Sequence, residues 1–119
     1  MYRCLLINRW WQADNPLERY ILRTGCLDLA WAGAYSDEAL HKLQTDVYDL
    51  VFVSLPAPEY VIPEPFLLAL RSQPALIATA LYPESVFDSY YLRPLSFLEE
   101  PFSPGQFEQA INKYLLQVK

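Results

Sequence analysis

The sequence predicts an α/β fold: a doubly wound, five-stranded parallel sheet of order 2-1-3-4-5 with helices on both faces, a three-layer α/β/α arrangement in which residues 1–119 form a single domain. Three observations carry this expectation. Short apolar runs alternate with helix-period patterns along the whole chain, as βαβ units require. Pro, Asn, Asp, Ser and Gly punctuate the boundaries between them. A length of 119 residues with 53% hydrophobic and 19% charged side chains supplies one core and excludes intrinsic disorder.

The first strand is expected over residues 3–7, a nearly continuous apolar run closed by Asn8 and Arg9, as for a strand covered on both faces. A helix follows from Pro16, with Asn15 as cap, Glu18 reaching back as in a capping box and Gly25 as its stop. Its inward stripe is Leu17, Tyr20, Ile21 and Thr24, while Arg19 and Arg23 face water. The second strand, 27–31, has fewer bulky residues and suits a sheet edge. Ser36 caps the second helix, whose Asp37 and Glu38 complement the helix dipole and whose Ala39, Leu40 and Leu43 point inward.

Residues 48–53 form the clearest strand, an apolar and β-branched run ending at Ser54. Four prolines make residues 55–65 a loop, leading into a third helix over 66–72. A fourth strand is expected over 75–80, a short fourth helix from Pro83 to Tyr90, and a fifth strand over 95–98. Ser103, Pro104 and Gln106 open the last helix, in which Phe107, Ala110, Ile111, Tyr114 and Leu115 recur at helical spacing. In such a sheet, chemistry belongs at the carboxyl ends of the strands beside the switch point, the first and third, followed here by Asn8, Arg9 and Ser54.

Composition narrows the function. Nine Lys and Arg against fourteen Asp and Glu give a net charge of −5 with no basic run, so no nucleic acid partner is expected through these residues. No apolar run reaches the ~18 residues of a membrane span and the start lacks a signal-peptide pattern, so no membrane partner and a cytoplasmic location are expected. Cys4 and Cys26 stand far apart in sequence, giving neither a redox pair nor a thiolate metal site, and read as free buried thiols. Three glycines provide no phosphate-cradling loop, so no nucleotide or flavin cofactor is expected. His41 has no serine or cysteine beside it, Ser54 lacks a glycine-framed elbow, and the adjacent Glu99 and Glu100 point to opposite faces of a strand. No catalytic residue emerges, and the chain is not expected to be an enzyme.

The order of elements, the segment Tyr48-Asp49-Leu50-Val51-Phe52-Val53-Ser54, the pair Pro58-Glu59, Tyr82-Pro83-Glu84 and Phe97-Leu98-Glu99-Glu100-Pro101 resemble the receiver domain of bacterial two-component response regulators, the CheY-like, flavodoxin-like fold, closest in flavour to LytTR-type regulators. The resemblance covers nearly the whole chain and implies a role in phosphorelay signal transduction. It also implies a degenerate site. The phosphoacceptor aspartate of receivers corresponds to Ser54, and their Mg²⁺-holding acidic pair to Asn8 and Arg9. Their hydroxyl after the fourth strand corresponds to Ala80, with Thr79 one residue earlier, and their lysine before the proline to Glu100. The aromatic that changes rotamer on activation corresponds to Phe97, which without phosphate stays in one orientation.

These departures have chemical consequences. A guanidinium in place of a carboxylate repels Mg²⁺, so no metal is expected. A serine without a neighbouring base is a poor phosphoacceptor. Two compensating changes of sign suggest an ion pair between Arg9 and Glu100, contributing about 0.5–1 kcal/mol if partly exposed.

The resulting reading is a pseudo-receiver, a protein–protein interaction module that acts without phosphorylation, binding a histidine kinase, another regulator, an output domain or a second copy of itself. Phe87, Tyr90 and Tyr91, with Trp10 and Trp11 after the first strand, are the candidate interface. Packing of both tryptophans on Pro56 and Pro58 is the plainer alternative. Three other readings stay open: a small-anion sensor at a rim pocket of Asn8, Arg9, Trp10, Ser54 and Ala80, a receiver using another acceptor, and the N-terminal regulatory part of a LytTR-type DNA-binding regulator.

Overall fold

The computed structural model describes residues 1–9 and 16–118. Five parallel strands, β1 (Tyr2–Asn8), β2 (Leu27–Ala34), β3 (Leu50–Ser54), β4 (Leu76–Ala80) and β5 (Ser96–Glu99), pair in the order β2-β1-β3-β4-β5. This is the expected doubly wound order. Among the described residues, α1 (Pro16–Arg23), α2 (Asp37–Thr45), α3 (Glu64–Arg71) and one 3-10 helix, Glu84–Tyr90, lie in the connections between strands, and α4 (Pro104–Gln117) follows β5.

Strand alternation sends apolar side chains to both faces of the sheet. Leu5, Ile7, Val51, Val53, Ala78 and Ala80 point toward α2, α3 and the 3-10 helix, and pack with Leu43, Phe66, Leu70 and Phe87. Cys4, Leu6, Leu50, Phe52 and Ile77 point the other way and pack with Leu17 and Ile21 of α1 and with Phe107, Ile111 and Tyr114 of α4. The central strands are buried on both sides, which is why their sequences read as continuous apolar runs rather than alternating ones.

Several boundaries move, each for a local reason. β3 begins at Leu50, because Asp49 is occupied at the strand entry, where its Oδ2 accepts from the Arg3 amide at 2.7 Å and its own amide donates to Arg3 O at 2.8 Å. β2 continues past Trp31 to Ala34 as an edge strand, with the Trp31 ring folded over Gly33 and the Lys42 ammonium 5.9 Å from the ring centroid. A register shift opposite Cys4/Leu5 breaks the β1·β2 ladder. α3 starts at Glu64, where Pro65 occupies an early helical position that needs no amide hydrogen. The expected fourth helix is a 3-10 helix; it ends at Tyr91, whose left-handed φ of 53° stops propagation.

The caps follow the sequence where it is described. Ser36 accepts from Ala39 N, and Ser103 and Gln106 form a reciprocal capping box at α4. α1 ends at Arg23, where the Thr24 hydroxyl donates to Tyr20 O at 2.7 Å, and Gly25 follows without a positive φ. The expected cap at Asn15 lies outside the described residues.

Candidate functional site

The carboxyl ends of β1, β3 and β4 form the floor of a cleft. Register pairs Ile7 with Val53 and Ser54 with Thr79, so Asn8, Ser54 and Thr79 sit side by side at the rim. Each is at least nine-tenths buried, and they are the buried polar side chains of the described residues. All three leave the strands on the α1/α4 side, one position beyond apolar residues that face the other way.

Arg9 crosses this floor. Its Nη1 donates to Glu100 Oε2 at 2.5 Å and to Ser54 Oγ at 2.8 Å, and its Nη2 donates to Glu100 Oε1 at 3.0 Å. The two side chains are 10% and 23% exposed, so the paired charges are largely shielded from solvent. A bidentate guanidinium–carboxylate fork is the strongest ion-pair geometry available to side chains. It joins the loop after β1 to the loop after β5, 91 residues apart in sequence, with a cis peptide between Glu100 and Pro101 just beyond. The pairing expected from the two changes of sign is therefore present, and more buried than a surface pair.

Tyr35 supports the floor from the opposite face. Its hydroxyl donates to Ser54 O at 3.2 Å and its ring packs against Phe66 with centroids 5.2 Å apart. Burial holds this phenol above its ordinary range.

One correspondence is corrected. Ala80 does not face the cleft: it is fully buried in the cluster under α2 and α3, and the hydroxyl beside Ser54 belongs to Thr79. The strand period of two decides this, since Thr79 shares the face of Ser54 through their register pairing and Ala80 does not. The cleft holds about 400 Å³. Above the polar floor, Leu17, Tyr20, Leu81 and Phe102 form apolar walls. Sequence reasoning did not foresee these walls, because they gather side chains from α1 and from the loops after β4 and β5 that only the folded chain brings together.

Mg²⁺ does not fit this donor set. It demands several oxygen ligands in octahedral geometry, chiefly carboxylates. The one carboxylate among the described cleft residues, Glu100, gives both oxygens to Arg9, whose positive charge occupies the middle of the floor. Among the described residues no group of three or more His, Cys, Asp or Glu side chains could hold a metal ion.

The candidate interface is only partly exposed. Phe87 is a correction: it is 6% exposed and packs inward against Tyr90 and Phe97, at 6.0 and 6.1 Å between centroids, so it belongs to the core. Tyr90 is half-buried, with its carbonyl accepting from Arg71 Nε at 2.9 Å. Tyr91 is 68% exposed and Val86 is also exposed. Phe97 is half-buried beside Phe87. Trp10 and Trp11 lie outside the described residues.

The strand order, the two helical layers and a polar rim at the switch point define the class: the chain has the CheY-like fold of response regulator receiver domains. The response regulatory domain of protein MrkE from Klebsiella pneumoniae is similar over 97% of this chain and 96% of that one, with a TM-score of 0.75 and 12% identity. The signal receiver domain of a modulated diguanylate cyclase from Desulfovibrio desulfuricans matches 98% of this chain and 95% of its own, with a TM-score of 0.72 and 12% identity. The receiver domain of a sensor histidine kinase from Pseudomonas aeruginosa, which has a magnesium ion coordinated in its active-site cleft, matches 96% of this chain and 97% of its own, with a TM-score of 0.61 and 16% identity. No family model matches the sequence, and comparison with curated proteins gives no match.

Proposed function

We propose that this chain is a pseudo-receiver: an interaction module of bacterial two-component signalling that works without accepting a phosphoryl group and is not an enzyme. The observation that carries this reading is the Arg9 fork onto Glu100 and Ser54. A receiver needs a divalent cation to neutralise the incoming phosphoryl group and a carboxylate to accept it. Here a resident guanidinium neutralises a resident carboxylate, and the residue at the end of β3 is an alcohol with no base within hydrogen-bonding distance among the described residues. An unactivated hydroxyl does not attack a phosphodonor at a useful rate.

What survives is a rigid frame. The fork ties β1 to β5, and the Phe87–Phe97 contact fixes the 3-10 helix against β5, so the face around Tyr91 is held in one state. A module of this kind binds constitutively, to a histidine kinase, another regulator, an output domain or a second copy, and a cytoplasmic location suits that role. Because nothing switches the face, partner affinity does not respond to phosphodonor. Incubation with acetyl phosphate and Mg²⁺ followed by intact-mass measurement tests the reading. The mass is expected to stay unchanged; a stable gain of one phosphoryl group overturns it. Light scattering on the purified chain and on Tyr91→Glu tests the face: an assembly that dissociates in the variant supports it, and an assembly that persists places the contact elsewhere.

A further inference from the structure

We infer that the groove beside Tyr91 docks a basic segment of a partner protein, one apolar side chain of which sits between the 3-10 helix and β5. The inference rests on the interaction-module reading and adds the chemistry of the partner to it.

The first observation is a preformed apolar seat, separate from the cleft. The groove holds about 240 Å³. Half-buried Pro94 and Phe97 form its floor, backed by buried Phe87 and Leu92, and Tyr91 stands exposed at its lip. Left-handed φ angles at Tyr91 and Arg93, 53° and 49°, bracket the buried Leu92 and turn both neighbours outward. Residues other than glycine hold such angles only where their surroundings over-determine them, so the lip is set before any partner arrives. A volume below the ~300–1,000 Å³ of small-molecule sites suits a single inserted side chain, the usual centre of a protein–protein contact.

The second observation is charge. Glu84 and Asp88 line the groove from the 3-10 helix, and Arg93 lines it from the turn. Glu99 follows Phe97 by two residues and leaves the edge strand β5 on the same face. All four are exposed, and none makes an ion pair or a side-chain hydrogen bond among the described residues. Three carboxylates against one guanidinium leave the rim acidic, so Lys and Arg beside the apolar anchor complement it. A second copy docked by two-fold symmetry would bring the same carboxylates back against themselves. Charge therefore selects a basic partner over self-association at this face.

The test titrates four N-acetylated, C-amidated heptapeptides, Lys-Arg-Gly-X-Gly-Arg-Lys with X as Leu, Met, Phe or Trp, into the full chain and follows amide NMR shifts. Saturable binding at about millimolar Kd or tighter is expected from at least one, with shifts concentrated in residues 84–99. The same peptide with Ala at X binds about fivefold weaker or more, and its counterpart with Glu in place of Lys and Arg does not saturate. Glu84→Gln combined with Asp88→Asn, both exposed, weakens the peptide about fivefold or more and leaves the urea midpoint little changed. No saturable response from any of the four peptides up to about 5 mM, shifts centred elsewhere, indifference to the anchor or to the two carboxylates, or a dimer that Tyr91→Glu dissociates each overturn the proposal. None of these readouts uses a phosphodonor, so failure here is distinct from a gain of mass with acetyl phosphate, which overturns the pseudo-receiver reading.

Discussion

Breaking the Arg9–Glu100 fork should cost far more than breaking a surface ion pair. Exposed pairs contribute about 0.2–1 kcal/mol, while removing one partner of a fully buried pair costs about 3–5 kcal/mol. With the two side chains 10% and 23% exposed and two short hydrogen bonds between them, the coupling energy falls between those limits, at about 2 kcal/mol. An unfolding entropy of about 2.1 cal/mol/K per residue over 119 residues gives about 250 cal/mol/K, so the loss corresponds to about 8 °C in Tm. The assay is a double-mutant cycle by urea denaturation on wild type, Arg9→Met, Glu100→Gln and the double variant. Each single variant should lose about 2 kcal/mol or more, and the double variant little beyond either single one. A coupling energy below about 0.3 kcal/mol refutes the reasoning, because the two side chains would then be acting independently in solution.

Gly33→Ala is expected to destabilise by about 1–3 kcal/mol and to alter the near-ultraviolet dichroism, because a Cβ there would sit 2.5 Å from Trp31 Cη2 and force the ring off the strand. Of the two thiols, Cys26 should react readily with a disulfide reagent; Cys4, buried with its thiol pushed up to about 12, should react only on unfolding, and equal rates would refute its burial. Burial pushes the Tyr48 and Tyr114 phenols up to about 12, so between pH 10 and 12 the unfolded chain loses protons that the folded chain keeps. Stability should therefore fall as pH rises through that window, with tyrosinate absorbance appearing together with unfolding; full ionisation in a still-folded chain contradicts it. Ser103→Ala removes half of the α4 capping box and should cost about 1 kcal/mol in urea denaturation.

The sheet was legible because its central strands are buried on both faces, which leaves an unmistakable apolar run in β1, β3 and β4. The caps at Ser36 and Ser103 were legible because capping chemistry is local. What escaped depends on contacts distant in sequence. The expected second strand stops at Trp31, whereas β2 runs on through Gly33, under the Trp31 ring, to Ala34 by pairing with β1. The segment after Pro83 has too little apolar periodicity to distinguish an α-helix from the 3-10 helix it forms. Phe87 looked like a surface aromatic beside Tyr90 and Tyr91, yet 3-10 geometry turns it inward while Tyr91 stays in solvent.

At the site, compensating signs at Arg9 and Glu100 were enough to suggest the pair, but not its burial, and hence not its strength. The choice between Thr79 and Ala80 turned on strand register, which a single sequence does not fix. Register puts the Thr79 hydroxyl at the floor of the cleft beside Ser54, with Asn8 and Arg9 at the same rim.

The decisive measurement is calorimetric titration of the wild-type chain with Mg²⁺ at neutral pH. A cleft whose positive charge is already supplied by Arg9 and whose carboxylate is already spent on it should give heats of dilution alone through millimolar concentrations. Saturable one-to-one binding of Mg²⁺ that Glu100→Gln abolishes would contradict it.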